Sequence, residues 1–144
     1  VVVRYRDGRV VKGFSYNFSP NREEFHLFPA DQSAPKGILV FLKDVKAVFT
    51  VKDFIGDSQY RERKEYKEGD LPSGRKVEVT FQDGEVMVGS TLGYDSAREC
   101  FCLFPADPKS NNIRVFVVLS AVESVRRLDA APQAPKRVNI SAQV

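Results

Sequence analysis

At the start of the chain Val1, Val3 and Tyr5 alternate with Val2, Arg4 and Arg6, and further on Val77, Val79 and Phe81 alternate with Glu78, Thr80 and Gln82. A period of two sends successive side chains to opposite faces of an extended backbone, so both stretches predict half-buried β-strands. Asp7-Gly8 and Asp83-Gly84 break the two alternations before they resume, and Asp-Gly between alternating runs predicts a tight hairpin. Each second strand then passes through a glycine, Gly13 or Gly89, where the missing side chain permits a bulge or a sharp bend. Third strands, EFHLF at 24–28 and CFCLF at 100–104, stop at Pro29 and Pro105, which have no N–H to give a ladder. Loops of Pro, Ser, Lys and Asn lead to fourth strands at Ile38 to Leu42 and Val115 to Leu119. A single-turn element then precedes fifth strands at Lys46 to Val51 and Glu123 to Leu128. No stretch carries a helical stripe of useful length, and the fold class is expected to be all-β.

These parallels are an internal duplication. A shift of 76 residues lays 1–31 on 77–107 without a gap, and the identical positions include Asp7, Gly8, Gly13, Arg22, Glu23, Phe25 and the run Leu27 to Asp31. After one extra residue in the second copy the shift becomes 77, which pairs Val45 with Val122 and Val48 with Val125. The expected organisation is a first small β-barrel at 1–54, a charged linker at 55–76, a second small barrel at 77–129 and an Ala/Pro-rich tail at 130–144. Five short strands with one turn between the fourth and fifth describe an SH3-like or Sm-like barrel. A unit of that size is marginal alone, so the two copies are expected to pack on each other. Their cores should hold Val1, Val3, Tyr5, Val10, Phe25, Leu27, Val40, Val48 and the second-copy counterparts. In the linker, the alternatives are pinning by Tyr60 and Tyr66 or a flexible chain, with a short helix over Gln59 to Lys67 as a further expectation; in the tail, an edge strand at Arg137 to Ser141.

Composition sharpens this picture at three points. With 42% hydrophobic residues and a mean hydropathy of -0.30, the 144-residue chain has enough apolar surface for a core. It has no run near the ~18 apolar residues of a membrane-spanning helix, nor the layout of a secretory signal at its start. It opens directly on strand-like valines, as a domain cut from a longer protein would. The two cysteines, Cys100 and Cys102, lie two apart on a strand and cannot close an unstrained bridge. Free thiols fit a reducing compartment, and the expected location is cytoplasmic. The net charge of +3 is too small to mark a nucleic-acid binder by itself. It is divided unequally, however: residues 1–54 carry nine basic and six acidic side chains, residues 77–129 five and eight. Opposite signs favour contact between the copies and would steer head-to-tail contact between molecules into a homo-oligomer.

An apolar alternation, Asp-Gly, a second glycine five residues on and an aromatic beyond it resemble the first signature of Sm-like proteins. Asp83-Gly84, Gly89, Tyr94 and Asp95 make the closer match. The resemblance implies a bent five-stranded barrel, ring assembly and binding of uridine- or adenine-rich single-stranded RNA. Ser15 and Thr91 stand where the family has an apolar residue, its base-holding asparagine is absent, and Lys43-Asp44 and Ser120-Ala121 replace its second signature. The barrel therefore carries over and the base pocket does not. The tandem also resembles SH3-like and Sm-like modules of uncharacterised bacterial proteins.

Chemistry-bearing residues are few. His26, Cys100 and Cys102 lack zinc-ligand spacing, and nothing identifies a third group to orient a Cys-His pair, so neither metal nor cofactor is expected. His26 and the cysteines read as residues on the less buried face of the third strands. In the repeated Phe-Pro-Ala-Asp segments, 28–31 and 104–107, proline stops the strand and Asp turns the chain through its own backbone. Asn17 to Arg22 and Asp70 to Gly74 match only parts of the Asp/Asn-x-Ser-x-x-Gly strand of cyclic-dinucleotide-binding barrels. With no phosphate loop, carboxylate pair or nucleophile elbow, the chain reads as non-enzymatic, an interaction or regulatory module whose partner is a protein. The alternatives are single-stranded RNA binding and cyclic-dinucleotide binding. The candidate partner or nucleic-acid surface is Arg4, Arg6, Arg9, Lys12 and Arg22.

Overall fold

Ten antiparallel strands form a single sheet in the computed structural model, which describes residues 1–56, 59–63, 65–66, 74–94 and 97–128. The first repeat contributes β1 (Val2–Tyr5), β2 (Val10–Phe14), β3 (Glu24–Pro29), β4 (Ile38–Phe41) and β5 (Val45–Val51). The second contributes β6 (Arg75–Phe81), β7 (Val86–Thr91), β8 (Cys100–Pro105), β9 (Asn112–Val118) and β10 (Val122–Arg127). Single 3-10 turns, Leu42–Asp44 and Leu119–Ala121, join the fourth strand of each repeat to the fifth. Among the described residues no helix is long and apolar enough to cross a membrane.

The strand order is β10-β6-β7-β8-β9-β5-β1-β2-β3-β4, so each repeat occupies one contiguous half of the sheet. The halves join where β5 pairs with β9, with Val48 opposite Phe116 and Phe49 opposite Val115. Alternation along β5 then serves two cores at once. Val48 faces a core with Val3, Tyr5, Phe25, Leu27 and Val40, while Ala47 and Phe49 face one with Val77, Val79, Phe81, Leu103 and Val117. Val118 of the second repeat enters the first core and Val2 of the first enters the second, which is how the copies come to pack as one body.

Most expected core positions are buried; Val1 and Val86 are half-buried, and Val10 is 46% exposed. An Asp-Gly pair alone at the hairpin tip would set Val10 beside Tyr5. Instead the Tyr5 N–H donates to the Arg9 carbonyl at 2.8 Å, so the loop is Arg6-Asp7-Gly8, with Gly8 at φ +97°. One more loop residue shifts the register by one and turns Val11, opposite Val3, toward the core in place of Val10. The second hairpin has the same loop, since Phe81 N–H donates to Glu85, and there Met87 packs against the core.

Among the described linker residues, Tyr60 is tied to one particular carboxylate. Tyr60 Oη donates to Asp107, the Arg63 N–H donates to the same oxygen at 2.8 Å, and Ser110 donates to Glu62 at 2.5 Å. Tyr66 lies under the Lys76 ammonium at 4.8 Å. Residues 59–63 form no helix, because the Arg63 N–H that would close a turn onto Gln59 is taken by Asp107. Lys64 and Lys67 of that expected helix, and the expected tail strand, lie outside the described residues.

Candidate functional site

The five candidate cations are all exposed and each has a partner of its own. Arg4 lies over the Phe49 ring at 5.4 Å, Arg6 donates to Gln82 at 3.0 Å, and Arg9 pairs with Asp7 at 2.8 Å while covering Tyr5 at 4.3 Å. Lys12 Nζ donates to the Phe54 carbonyl at 2.6 Å, and Arg22 Nε to the Glu24 carbonyl at 3.4 Å. Tyr5 is buried on the face opposite Arg4 and Arg6, so ring and guanidinium do not form a shared stacking platform on β1. Among the described residues no three His, Cys, Asp or Glu side chains lie close enough to hold a metal ion. His26 is exposed on β3, where Asn17 accepts from its backbone N–H at 3.0 Å.

Cys100 is a correction: it is buried where an accessible face was expected. Its counterpart Glu24 lies on the exposed outer rim, whereas Cys100 sits opposite Val118 under the junction of the repeats. Burial pushes the Cys100 thiol up to about 12, with Cys102 and Glu99 adding to the shift. From an ordinary 9.0 that leaves about a thousandfold less thiolate at neutral pH. Burial also raises Cys102, against the pull of Arg114. In a thiol-reagent time course at neutral pH, Cys102 should react first and Cys100 only on unfolding in urea. Rapid native labelling of both would refute this burial.

The junction of the repeats forms a cleft of about 530 Å³. Phe41, Leu42, Val118 and Leu119 supply its apolar surface; Glu23, Glu24, Glu99, Lys43 and Arg98 supply its charge. Glu23 and Glu99, Phe41 and Val118, and Leu42 and Leu119 are equivalent positions of the two copies. Equivalent positions of the two sequence copies thus face each other across the cleft, and three carboxylates against two cations give it an acidic bias. Beside it runs β4, the last strand of the sheet, with Leu39 44% and Phe41 40% exposed.

One polar contact across the junction is one that sequence reading missed. Lys46 projects from β5 onto the second hairpin, donates to Asp83 at 2.7 Å and to Glu85, and lies over the Phe81 ring at 4.7 Å. The Lys46 hydrogen bond and the Glu85 N–H hold the Asp83 carboxyl below the ordinary carboxylate range. The available signal was a lysine inside VKAVF whose repeat counterpart is Glu123, a charge reversal at one position of the duplication. Asp107 was read only as a turn former. It does turn its loop, accepting the Lys109 N–H at 2.8 Å, as Asp31 accepts that of Ser33 at 2.9 Å. Burial works to raise the Asp107 carboxyl, but the Arg63 N–H, Tyr60 and Lys109 N–H bonds outweigh it and the net shift is downward.

The chain belongs to a family of unknown function, DUF6982, whose model matches residues 1–129. No curated protein and no solved structure matches it.

Proposed function

We propose that this member of the family is a non-catalytic protein–protein interaction or regulatory module, built from two SH3-like or Sm-like small barrels that share one sheet. The barrel reading is supported by five consecutive strands around each core and by the close crossings at Gly13 and Gly89. The interaction reading rests on the free edge of β4. Leu42 N–H donates back to Glu23 at 2.9 Å, so by antiparallel alternation Val40 also points its backbone to β3, while Leu39 and Phe41 point theirs outward. An edge with unpaired N–H and C=O groups flanked by apolar side chains accepts an extended partner strand. The neighbouring cleft would take one side chain from that strand, and its carboxylates favour a basic one with an apolar stem.

The test is capture from a lysate on the immobilised chain, wild type against Leu39→Lys, with circular dichroism to verify that both are folded. The expected result is a protein retained by the wild type and reduced at least about tenfold by a lysine on the edge. Capture unchanged by the substitution would overturn the edge reading, and turnover of a substrate by the pure chain would overturn the non-catalytic one. A labelled uridine-rich oligomer serves as the control for the RNA alternative. Its binding should be weak and fall steeply between about 50 and 200 mM salt; tight binding at the higher salt would replace the protein reading.

A further inference from the structure

We infer that the protein assembles head to tail with copies of itself, β4 of one molecule pairing antiparallel with β10 of the next. The inference deepens the reading of β4 as an acceptor edge and rests on it; the partner it names is a second copy of this chain. Inside the molecule the fifth strand of one repeat, β5, pairs with the fourth strand of the other, β9. The two free ends of the sheet are the other fourth strand, β4, and the other fifth strand, β10. They are the two halves of the internal junction, each lacking the partner that its repeat counterpart has.

Register and backbone polarity carry over. Val48 opposite Phe116 and Ala47 opposite Val117 become Val125 opposite Leu39 and Ser124 opposite Val40. Leu119 N–H donates to Glu99 at 2.9 Å just as Leu42 N–H donates to Glu23, so β4 turns outward the same alternate groups that β9 offers β5. On β10, Leu128 N–H donates to Lys76 at 2.9 Å, which by the same alternation leaves the Val125 backbone facing out.

The side chains support the same pairing. Leu39 and Phe41 are exposed, but their counterparts across the junction are covered: Val118 is 2% exposed and Phe116 is half-buried, with its ring 5.0 Å from Phe18. The counterpart of Phe18 is Tyr94, which lies on Phe101 at 5.1 Å and would meet Leu39 of the next molecule. One of the two Lys46 ion pairs carries over with its signs exchanged. Lys46 meets Asp83 and Glu85 within the molecule; its counterpart is Glu123, and that of Glu85 is Arg9. Between molecules Glu123 would meet Arg9, beside which stands Asp7, the unchanged counterpart of Asp83 that Arg9 already holds, whereas the mixed contacts Lys46 to Arg9 and Glu123 to Glu85 would set like charges together. One difference sets the strength. β10 carries Ser124 and Arg126 where β5 buries Ala47 and Phe49, so the contact between molecules is weaker than the internal one and follows concentration. The contact is heterologous, and it closes into a ring or runs on as a filament according to its rotation.

Sedimentation velocity of the full chain over a wide concentration range tests this. The wild type should move from single-chain to larger species as concentration rises, and Leu39→Lys should remain single-chain. Arg9→Glu and Glu123→Lys should each weaken assembly about tenfold, and the double variant should recover most of that loss, which a merely structural role for either residue would not produce. A wild type that stays single-chain at every concentration, or a double variant no better than the singles, overturns the inference. If single-chain wild type still captures a protein from lysate in a Leu39-dependent way, the interaction reading stands and only self-assembly falls. If that capture also fails, both fall.

Discussion

Gly89→Ala is expected to destabilise the protein by about 3 kcal/mol, within the upper range for forcing atoms into a packed site, and urea unfolding followed by far-UV circular dichroism measures it. Gly89 lies opposite Pro105 where β7 crosses β8. A Cβ there would stand 2.2 Å from the Phe104 carbonyl oxygen and 2.9 Å from Leu103 Cγ. The first of these is backbone in a hydrogen-bonded strand and has no rotamer with which to retreat. Relief requires the two strands to separate, which opens the ladder and draws Leu103 out of the core. Gly13 repeats the arrangement 2.3 Å from the Phe28 carbonyl oxygen, so Gly13→Ala should cost a similar amount. Gly84→Ala is the control, because nothing lies within 4 Å of its Cβ position and only its φ of +93° is strained. That should cost about 1 kcal/mol. Gly89→Ala within 1 kcal/mol of the wild type would mean that the crossing opens freely and does not hold the bend of the sheet.

The legibility of the fold follows the range over which each contact is determined. The strands, the hairpins and the bend glycines were legible because alternation, Asp-Gly and an isolated glycine act within a few residues. The parity of Val10 was not, since two-residue and three-residue loops both suit Asp-Gly and one residue decides which face points inward. The β5–β9 pairing was out of reach for a different reason. Both strands are apolar on two faces and would suit several neighbours, so only the packed cores select the pair. The cleft, Lys46 and the Asp107 anchor of Tyr60 all depend on that selection. The repeat alignment nevertheless contained the clue to Lys46, because a position that is Lys in one copy and Glu in the other lies where the copies meet different partners.

Removing the acids that hold Lys46 is expected to cost more than removing Lys46 itself, and this asymmetry tests what holds the repeats together. The Lys46 side chain is only 9% exposed, while those of Asp83 and Glu85 are 54% and 35% exposed. In Asp83→Asn with Glu85→Gln the ammonium keeps its place over Phe81 but has no counter-charge and little water, a situation that costs about 3 kcal/mol. In Lys46→Met the apolar stem still fills the junction and the two carboxylates turn to solvent, so the loss should stay near 1 kcal/mol. The pH dependence has the same origin. Asp83 is held below its ordinary 3.8 by the Lys46 hydrogen bond and the Glu85 N–H. A depressed carboxyl contributes stability that is complete above the unfolded value and is lost as pH falls through the folded one. Wild-type stability should therefore decline on acidification below about pH 4, and because Asp83 is half-exposed the decline from this group is modest. The Lys46→Met variant should decline less, since it has lost the leading cause of the shift, while Asp107, depressed by its own hydrogen bonds, still titrates in both proteins. Equal acid limbs in the two proteins, or a Lys46→Met loss larger than that of the double amide, would show that the buried ammonium is not what ties the repeats together.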